Sequence, residues 1–231
     1  MAEQHSGVII RLSGADQGRS LMESTLKRVA PLAGVVVVAL EVVGGTLVTK
    51  GAPAFAAKPA EIAAYFTAPA SHIMLGVFLL LIATPFWFIY LGCLYGAVKV
   101  KEGGVGRLAA TLLATGSAAA ALGVAGDVFT AMASIRASRE TLTPGLATVY
   151  FDAANGLTYT GFAVTLSAFN LAFGVASLRY GAIVPKWIGA VSIGMALLLL
   201  VPPVSWAAIY VSLLIALYVS VVLYRDEAGG L

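Results

Sequence analysis

The chain has 231 residues, of which 60% are hydrophobic and 11% charged, and its mean hydropathy is +0.94. Soluble domains are about 45–50% apolar and about 25% charged, so this composition excludes an ordinary soluble protein. The net charge of +3 comes from basic residues scattered around hydrophobic segments, and we therefore expect no nucleic-acid partner. The single cysteine excludes disulfides within one chain and cysteine-bound metal clusters.

Long apolar stretches predict an all-α fold, a polytopic transmembrane helix bundle, because about 20 apolar residues cross a ~30 Å hydrocarbon core as a helix. The spans are expected at about 29–49, 73–98, 107–133, 156–178, 185–201 and 204–223. Residues 1–28 are expected to form a cytoplasmic arm, 29–224 the six-helix domain, and 225–231 a cytoplasmic tail.

The first span has some features of a signal peptide, because basic residues precede it and a small-residue stretch, 54–57, follows it. Its apolar run is longer than a signal core of about 7–15 residues, and it carries Glu41. We therefore interpret it as a retained helix.

The basic residues predict the orientation of the spans. With the N-terminus in the cytoplasm, ten of the 14 lie on the cytoplasmic side: Arg11, Arg19, Lys27, Arg28, Lys99, Lys101, Arg107, Arg179, Lys186 and Arg225. Four lie outside: Lys50, Lys58, Arg136 and Arg139. The positive-inside rule favours this arrangement, with both termini in the cytoplasm and the chain in a cell inner membrane.

The longest outer connection begins with a helix-start signal. Pro59 suits the first position of a helix, and Ile62, Tyr65 and Phe66 then fall on one side of it. We expect a short helix around 59–67 that lies on the outer membrane surface.

Two further positions interrupt the apolar pattern. The stretch 145–178 is too long for one span, and the Asn-Gly pair at 155–156 is the expected break, leaving 146–154 as a short outer segment. Pro85 predicts a bend in the second span. We favour a packing kink over a gate or a ligand pocket lined by Trp87 and Tyr90.

Acids inside the spans are the residues most informative about function. Glu41 lies in the first span and Asp127 in the third, where an acid costs about 2.5–3.5 kcal/mol and therefore usually faces protein or water. Each shares a helix face with small residues, Gly45 for Glu41 and Gly123 for Asp127, which let another helix approach. We expect both acids to point into the bundle.

Four other polar residues fall at the outer ends of their spans: Asp152, Asn155, Tyr159 and His72. With the two acids they predict an outward-facing polar pocket that binds a small ligand, ion or lipid. Carboxylates and a histidine could also hold a divalent metal, but there is no paired motif such as His-x-x-x-His, so we expect no metal and no cofactor. The alternative is that the acids are protonated, or bonded to hydroxyl groups, and only register the helices.

The glycine-rich segment 102–107 precedes a helix, so a phosphate site there is conceivable. It has no preceding strand and no Walker lysine, and we expect a flexible inner turn instead.

The sequence PKWIG at 185–189 forms a Pro-basic-Trp-aliphatic-Gly signature at the start of the penultimate helix. With EIAAY at 61–65 and the six-span layout, it resembles a family of small uncharacterised bacterial inner-membrane proteins of actinobacterial type, a domain of unknown function. The resemblance covers most of the chain. It implies a six-helix fold and no particular activity.

Two classes of function stay open. The first is a non-enzymatic membrane protein that binds a small ligand, ion or lipid, as a sensor or minor transporter. The second is an accessory subunit that packs on other membrane subunits, or on its own copies, through small-residue faces. An enzyme is not expected, because two histidines so placed cannot assemble a nucleophile–base pair. A polar cavity around Glu41 and Asp127 would favour the first class, and a filled, dry bundle the second.

Overall fold

The computed structural model describes residues 29–67, 71–181 and 183–229, and it is an all-α bundle. Its α-helices are α1 (Ala33–Thr49), α2 (Pro59–Thr67), α3 (Ser71–Glu102), α4 (Arg107–Ser138), α5 (Pro144–Gly156), α6 (Ala163–Tyr180), α7 (Lys186–Leu199) and α8 (Pro202–Gly229). A 3-10 turn, Ala30–Leu32, precedes α1. The predicted arm, 1–28, lies outside the described residues, whereas the predicted tail is helical as far as Gly229.

Five helical stretches in the described ranges are long and apolar enough to cross a membrane: Ala30–Thr49, His72–Glu102, Arg107–Ser138, Pro144–Tyr180 and Val204–Asp226. The chain is therefore a multi-pass, helical membrane protein. Helix α7 is apolar but has only 14 residues. The six-span topology stays a prediction for this reason.

Glycine pairs let neighbouring helices approach backbone to backbone. A methyl group at Gly76 of α3 would lie 2.7 Å from the carbonyl oxygen of Gly44 in α1. A methyl group at Gly174 of α6 would lie 2.6 Å from the carbonyl oxygen of Gly189 in α7. Small residues thus permit the close contacts of α1 with α3 and of α6 with α7, as is common for helices in membranes.

Helix α2 confirms the helix predicted around 59–67, but its apolar side does not face lipid. Ile62, Tyr65 and Phe66 are all buried. They pack in one apolar cluster with residues of α3, α4 and α5, among them Ile73 and Phe151. The helix therefore caps one end of the bundle, which we call the α2 end.

The chain does not break at the Asn-Gly pair at 155–156. Helix α5 continues into a π-helical segment, Leu157–Phe162, and then into α6, so that one helical stretch runs from Pro144 to Tyr180. The π-segment keeps the main-chain groups hydrogen-bonded where a loop would expose them to lipid. The predicted break lies within two residues of the start of the π-segment. The sequence therefore predicted where the α-helix is interrupted, but not that the chain stays helical there.

The turn between α3 and α4 is held by the first residue of the glycine-rich segment. The Glu102 carboxylate accepts hydrogen bonds from the main-chain nitrogens of Leu108 and Ala109, at 3.0 and 3.1 Å. It occupies the N-terminus of α4 with the chain's own negative charge. A phosphate site at this helix end is therefore not supported.

Helices α1 and α8 are antiparallel, and this places two basic residues at opposite ends of the bundle. A Cβ atom at Gly34 would meet Ser220, and one at Gly45 would lie 3.9 Å from the Tyr210 hydroxyl. Lys58 precedes α2, whereas Arg225 lies beyond Ser220, away from the α2 end.

Reporter fusions at Lys58 and after Arg225 are expected to report opposite sides of the membrane, with Arg225 in the cytoplasm. Paired alkaline phosphatase and fluorescent-protein fusions measure this directly. Reports from the same side at both positions would contradict the topology.

Candidate functional site

A cavity of about 320 Å³ lies inside the bundle near the α2 end. Its walls come from α1, α3, α4, α5, α6 and α8, from the π-segment, and from α2 and the connection that precedes it. It lies between the apolar cluster beneath α2 and the larger apolar core of the bundle, because its lining takes side chains from both. The interior of the bundle is therefore not completely filled by side chains.

Glu41 and Asp127 both line the cavity, as their helix faces predicted. Neither carboxyl group accepts a hydrogen bond or forms an ion pair with any residue that the structure describes. The protein therefore leaves two acidic groups unpaired at the surface of one internal cavity.

Small residues around each acid explain how the sequence places it there. The contact of Gly44 with Gly76 holds α1 against α3 directly beside Glu41. On α4, a methyl group at Gly126 would lie 2.8 Å from Thr158 Oγ1, so the π-segment packs tightly against the helix turn that carries Asp127. These approaches hold the helices together without a large side chain that would fill the space between the acids.

Aromatic side chains line the cavity at two levels. Near the α2 end, the Phe55 ring lies 5.3 Å from the Tyr159 ring and 6.4 Å from the Phe151 ring, between centroids. Further from α2, the Trp87 ring lies 5.6 Å from the Tyr90 ring and 5.7 Å from the Phe169 ring. We call these the mouth aromatics and the deep aromatics.

The deep aromatics present ring surface to the cavity, and the Trp87 N–H is not available to a ligand. Trp87 Nε1 donates to the carbonyl oxygen of Gly116 at 2.9 Å, so the indole N–H is already bonded within the protein. Tyr90 is 2% exposed and belongs to the apolar core. We favoured a packing kink at Pro85 over a pocket lined by Trp87 and Tyr90. Both of these residues, which follow Pro85, nevertheless line the cavity.

Of the four other predicted site residues, two line the cavity and two do not. Asn155 and Tyr159 are in the lining. Asp152 is exposed on the far side of α5, and His72 lies in the first turn of α3. Helix α3 first reaches the cavity at Leu80, about two turns beyond His72.

Sequence reasoning missed the contribution of α8. Trp206 and Tyr210 both line the cavity, although neither was among the predicted site residues. Trp206, Tyr210 and Leu213 recur at helical spacing, which predicts a shared face of the helix but not the cavity that this face meets. Trp206 and Phe55 are 57% and 64% exposed, so these lining residues mark an opening at the α2 end.

Helix α2 is fixed over this end by Tyr65, whose hydroxyl donates a hydrogen bond to the carbonyl oxygen of Val48 near the end of α1. Burial raises the pKa of Tyr65 to about 12, so this hydroxyl stays a donor at every physiological pH. This hydrogen bond holds α2 against α1, the helix that carries Glu41.

The residues of the site suit the binding of a small molecule better than the coordination of a metal ion. No three histidine, cysteine, aspartate or glutamate side chains come together within the described ranges. Two carboxyl groups, the hydroxyl groups of tyrosine, threonine and Ser212, and the side chains of Asn155 and Asn170 form the polar part of the lining. The remainder is aromatic and aliphatic, as in typical pockets for small molecules.

No protein-family model, curated protein or solved structure matches this chain. The resemblance drawn from segment 185–189 therefore stays a prediction. Packing explains part of that segment, because Pro185 caps α7 and Gly189 contacts Gly174, while Trp187 is 65% exposed.

Proposed function

We propose that this multi-pass protein of the inner membrane binds a small, mostly apolar ligand in the cavity, as a sensor or minor transporter. One observation carries the proposal: Glu41 and Asp127 stand unpaired at the wall of the same internal cavity. With the topology expected from the basic residues, the cavity opens toward the outside.

The positions of Glu41 and Asp127 carry a free-energy cost. An acid within the bilayer costs about 2.5–3.5 kcal/mol, and acids that only register helices usually bond to neighbouring side chains. No described residue offers either carboxyl group such a bond. Bonds to a ligand, or to water when no ligand is bound, would offset the cost of placing the two acids within the bilayer.

The shape of the cavity favours ligand binding over an accessory role. An accessory subunit needs an outer face for its partner and gains nothing from an internal space with a polar wall. This cavity has the composition and size of a small-molecule site, and exposed lining residues give it an entrance.

Filling the cavity is expected to weaken ligand binding. Gly123 lines it, and a Cβ atom there would meet only the Phe162 ring, at 3.6 Å. Gly123→Leu should therefore fold and bind the neutral fluorescent probe N-phenyl-1-naphthylamine roughly tenfold more weakly than the unchanged protein. Energy transfer from tryptophan measures binding in nanodiscs, because Trp87 and Trp206 both line the cavity.

The matched control is Gly92→Leu, since Gly92 is exposed on α3 and a Cβ atom there would meet nothing within 4 Å. This variant reports the partition of the probe into lipid and should behave like the unchanged protein. Equal transfer in all three proteins would refute the proposed function.

A further inference from the structure

The charged part of the cavity wall is entirely acidic within the described chain. Glu41 and Asp127 are the charged side chains of the lining, and no lysine, arginine or histidine among the described residues joins them. The nearby Arg136, on α4, is turned to Tyr150, whose hydroxyl oxygen accepts a hydrogen bond from Arg136 Nε at 3.0 Å. The cavity thus has no described counter-charge for its two acids.

Aromatic rings lie at the same level as the acids. Tyr159 follows Thr158, which packs against α4 one residue before Asp127. The Tyr210 hydroxyl lies 3.9 Å from the Cβ position of Gly45, one turn from Glu41. Carboxylates surrounded by tyrosine rings form the usual environment for organic ammonium groups, because ring faces attract cations.

The deep aromatics form an apolar compartment beyond the acids. Tyr90 packs at the level of Gly34, two turns along α1 from Glu41, since a Cβ atom at Gly34 would lie 2.7 Å from the Tyr90 ring. Trp87 and Phe169 complete this compartment, and the Trp87 N–H is not free to bind a polar group. The cavity therefore has an acidic, aromatic upper part and a mostly apolar lower part, where the lining residues Asn170 and Ser212 are hydrogen-bonded to each other.

We infer that the ligand is an amphipathic organic cation, a protonated amine or quaternary ammonium group carrying an aromatic or aliphatic body. Its charge pairs with Glu41 and Asp127, and its body lies against the deep aromatics. A small metal ion would need more oxygen ligands than two unpaired carboxylates supply, and an anion would be repelled. This inference rests on the proposed function, because it names the ligand class of the same cavity.

A pair of ligands that differ only in charge tests the inference. Benzyltrimethylammonium carries a permanent positive charge, and neopentylbenzene is its neutral isostere, with carbon in place of nitrogen. Competition against N-phenyl-1-naphthylamine in nanodiscs measures both affinities. The cation is expected to bind the unchanged protein roughly tenfold more tightly, a difference of about 1.4 kcal/mol.

Glu41→Gln, Asp127→Asn and the double variant are expected to remove this preference while neopentylbenzene binds as before. Since the comparison of the two ligands needs only the unchanged protein, poor folding of a variant leaves the test intact. Equal affinities for the two ligands, with cavity-dependent binding of the naphthylamine probe, would overturn the cation assignment alone. Loss of the difference between Gly123→Leu and Gly92→Leu would instead overturn the proposed function.

Discussion

Gly174→Ala is expected to lower the free energy of unfolding by about 1–3 kcal/mol, the range found when atoms are forced into a packed interior. The added methyl group would lie 2.6 Å from both the Gly189 carbonyl oxygen and Ile193 Cγ1. Because one of these atoms is main chain, relief requires α6 and α7 to separate. Unfolding in mixed micelles, followed by circular dichroism, measures the loss.

Gly194→Ala on α7 is the matched control. A Cβ atom at Gly194 would meet nothing within 4 Å, and alanine is favoured over glycine within a helix by roughly 0.5–1 kcal/mol. This variant should be as stable as the unchanged protein or slightly more stable. If both substitutions have the same effect, the close contact of α6 with α7 is wrong.

Gly34→Ala is expected to cost about 1–3 kcal/mol and to disturb the cavity as well. The methyl group would lie 1.9 Å from Ser220 Oγ and 2.7 Å from Tyr90 Cδ2, so α8 and a cavity-lining ring must both move. The variant should therefore unfold more easily and bind N-phenyl-1-naphthylamine more weakly. The micelle unfolding assay and the energy-transfer assay report the two effects separately.

Ser220→Ala should restore part of the stability that Gly34→Ala removes. The serine hydroxyl donates to the Ala216 carbonyl oxygen of its own helix at 2.8 Å, so its removal alone breaks no hydrogen bond between helices. A double-mutant cycle is expected to give a coupling of about 0.5–3 kcal/mol, as for residues in direct contact. Additive effects would place α8 away from Gly34.

The sequence predicted the start of α2 correctly, because Pro59 stands at the first position of this helix, where the missing N–H has no intrahelical partner. Pro202 also begins a helix, α8, two residues before the span predicted at 204–223. The sequence did not predict which surface the apolar side of α2 packs against. The spacing of Ile62, Tyr65 and Phe66 defines an apolar side, but periodicity does not distinguish lipid from protein as the surface that side meets.

The placement of the acids was predictable to different degrees. Glu41 and Asp127 lie in regular helices, so their small-residue neighbours indicated the inward face correctly. Asp152 was predicted to be a site residue from its place at the outer end of a span, and this does not determine the side of the helix on which it lies. The π-segment takes more residues per turn and begins at Leu157, so it rotates the residues before it relative to those after it.

The contribution of α8 required tertiary information. Trp206 and Tyr210 are aromatic residues near a helix end, a pattern equally typical of the membrane interface. Only the antiparallel packing of α8 on α1, with Tyr210 opposite Gly45, brings them to the cavity.

The short helix α7 has a consequence for the surrounding lipid. Its 14 residues span about 21 Å, less than a hydrocarbon core of about 30 Å. Exposed Leu197, Leu198 and Leu200 lie at the turn into α8, and Trp187, also exposed, lies at the other end of α7. If α7 crosses the membrane as predicted, one leaflet would thin beside this turn, and the hydrophobic mismatch would direct the protein toward thinner regions of the bilayer.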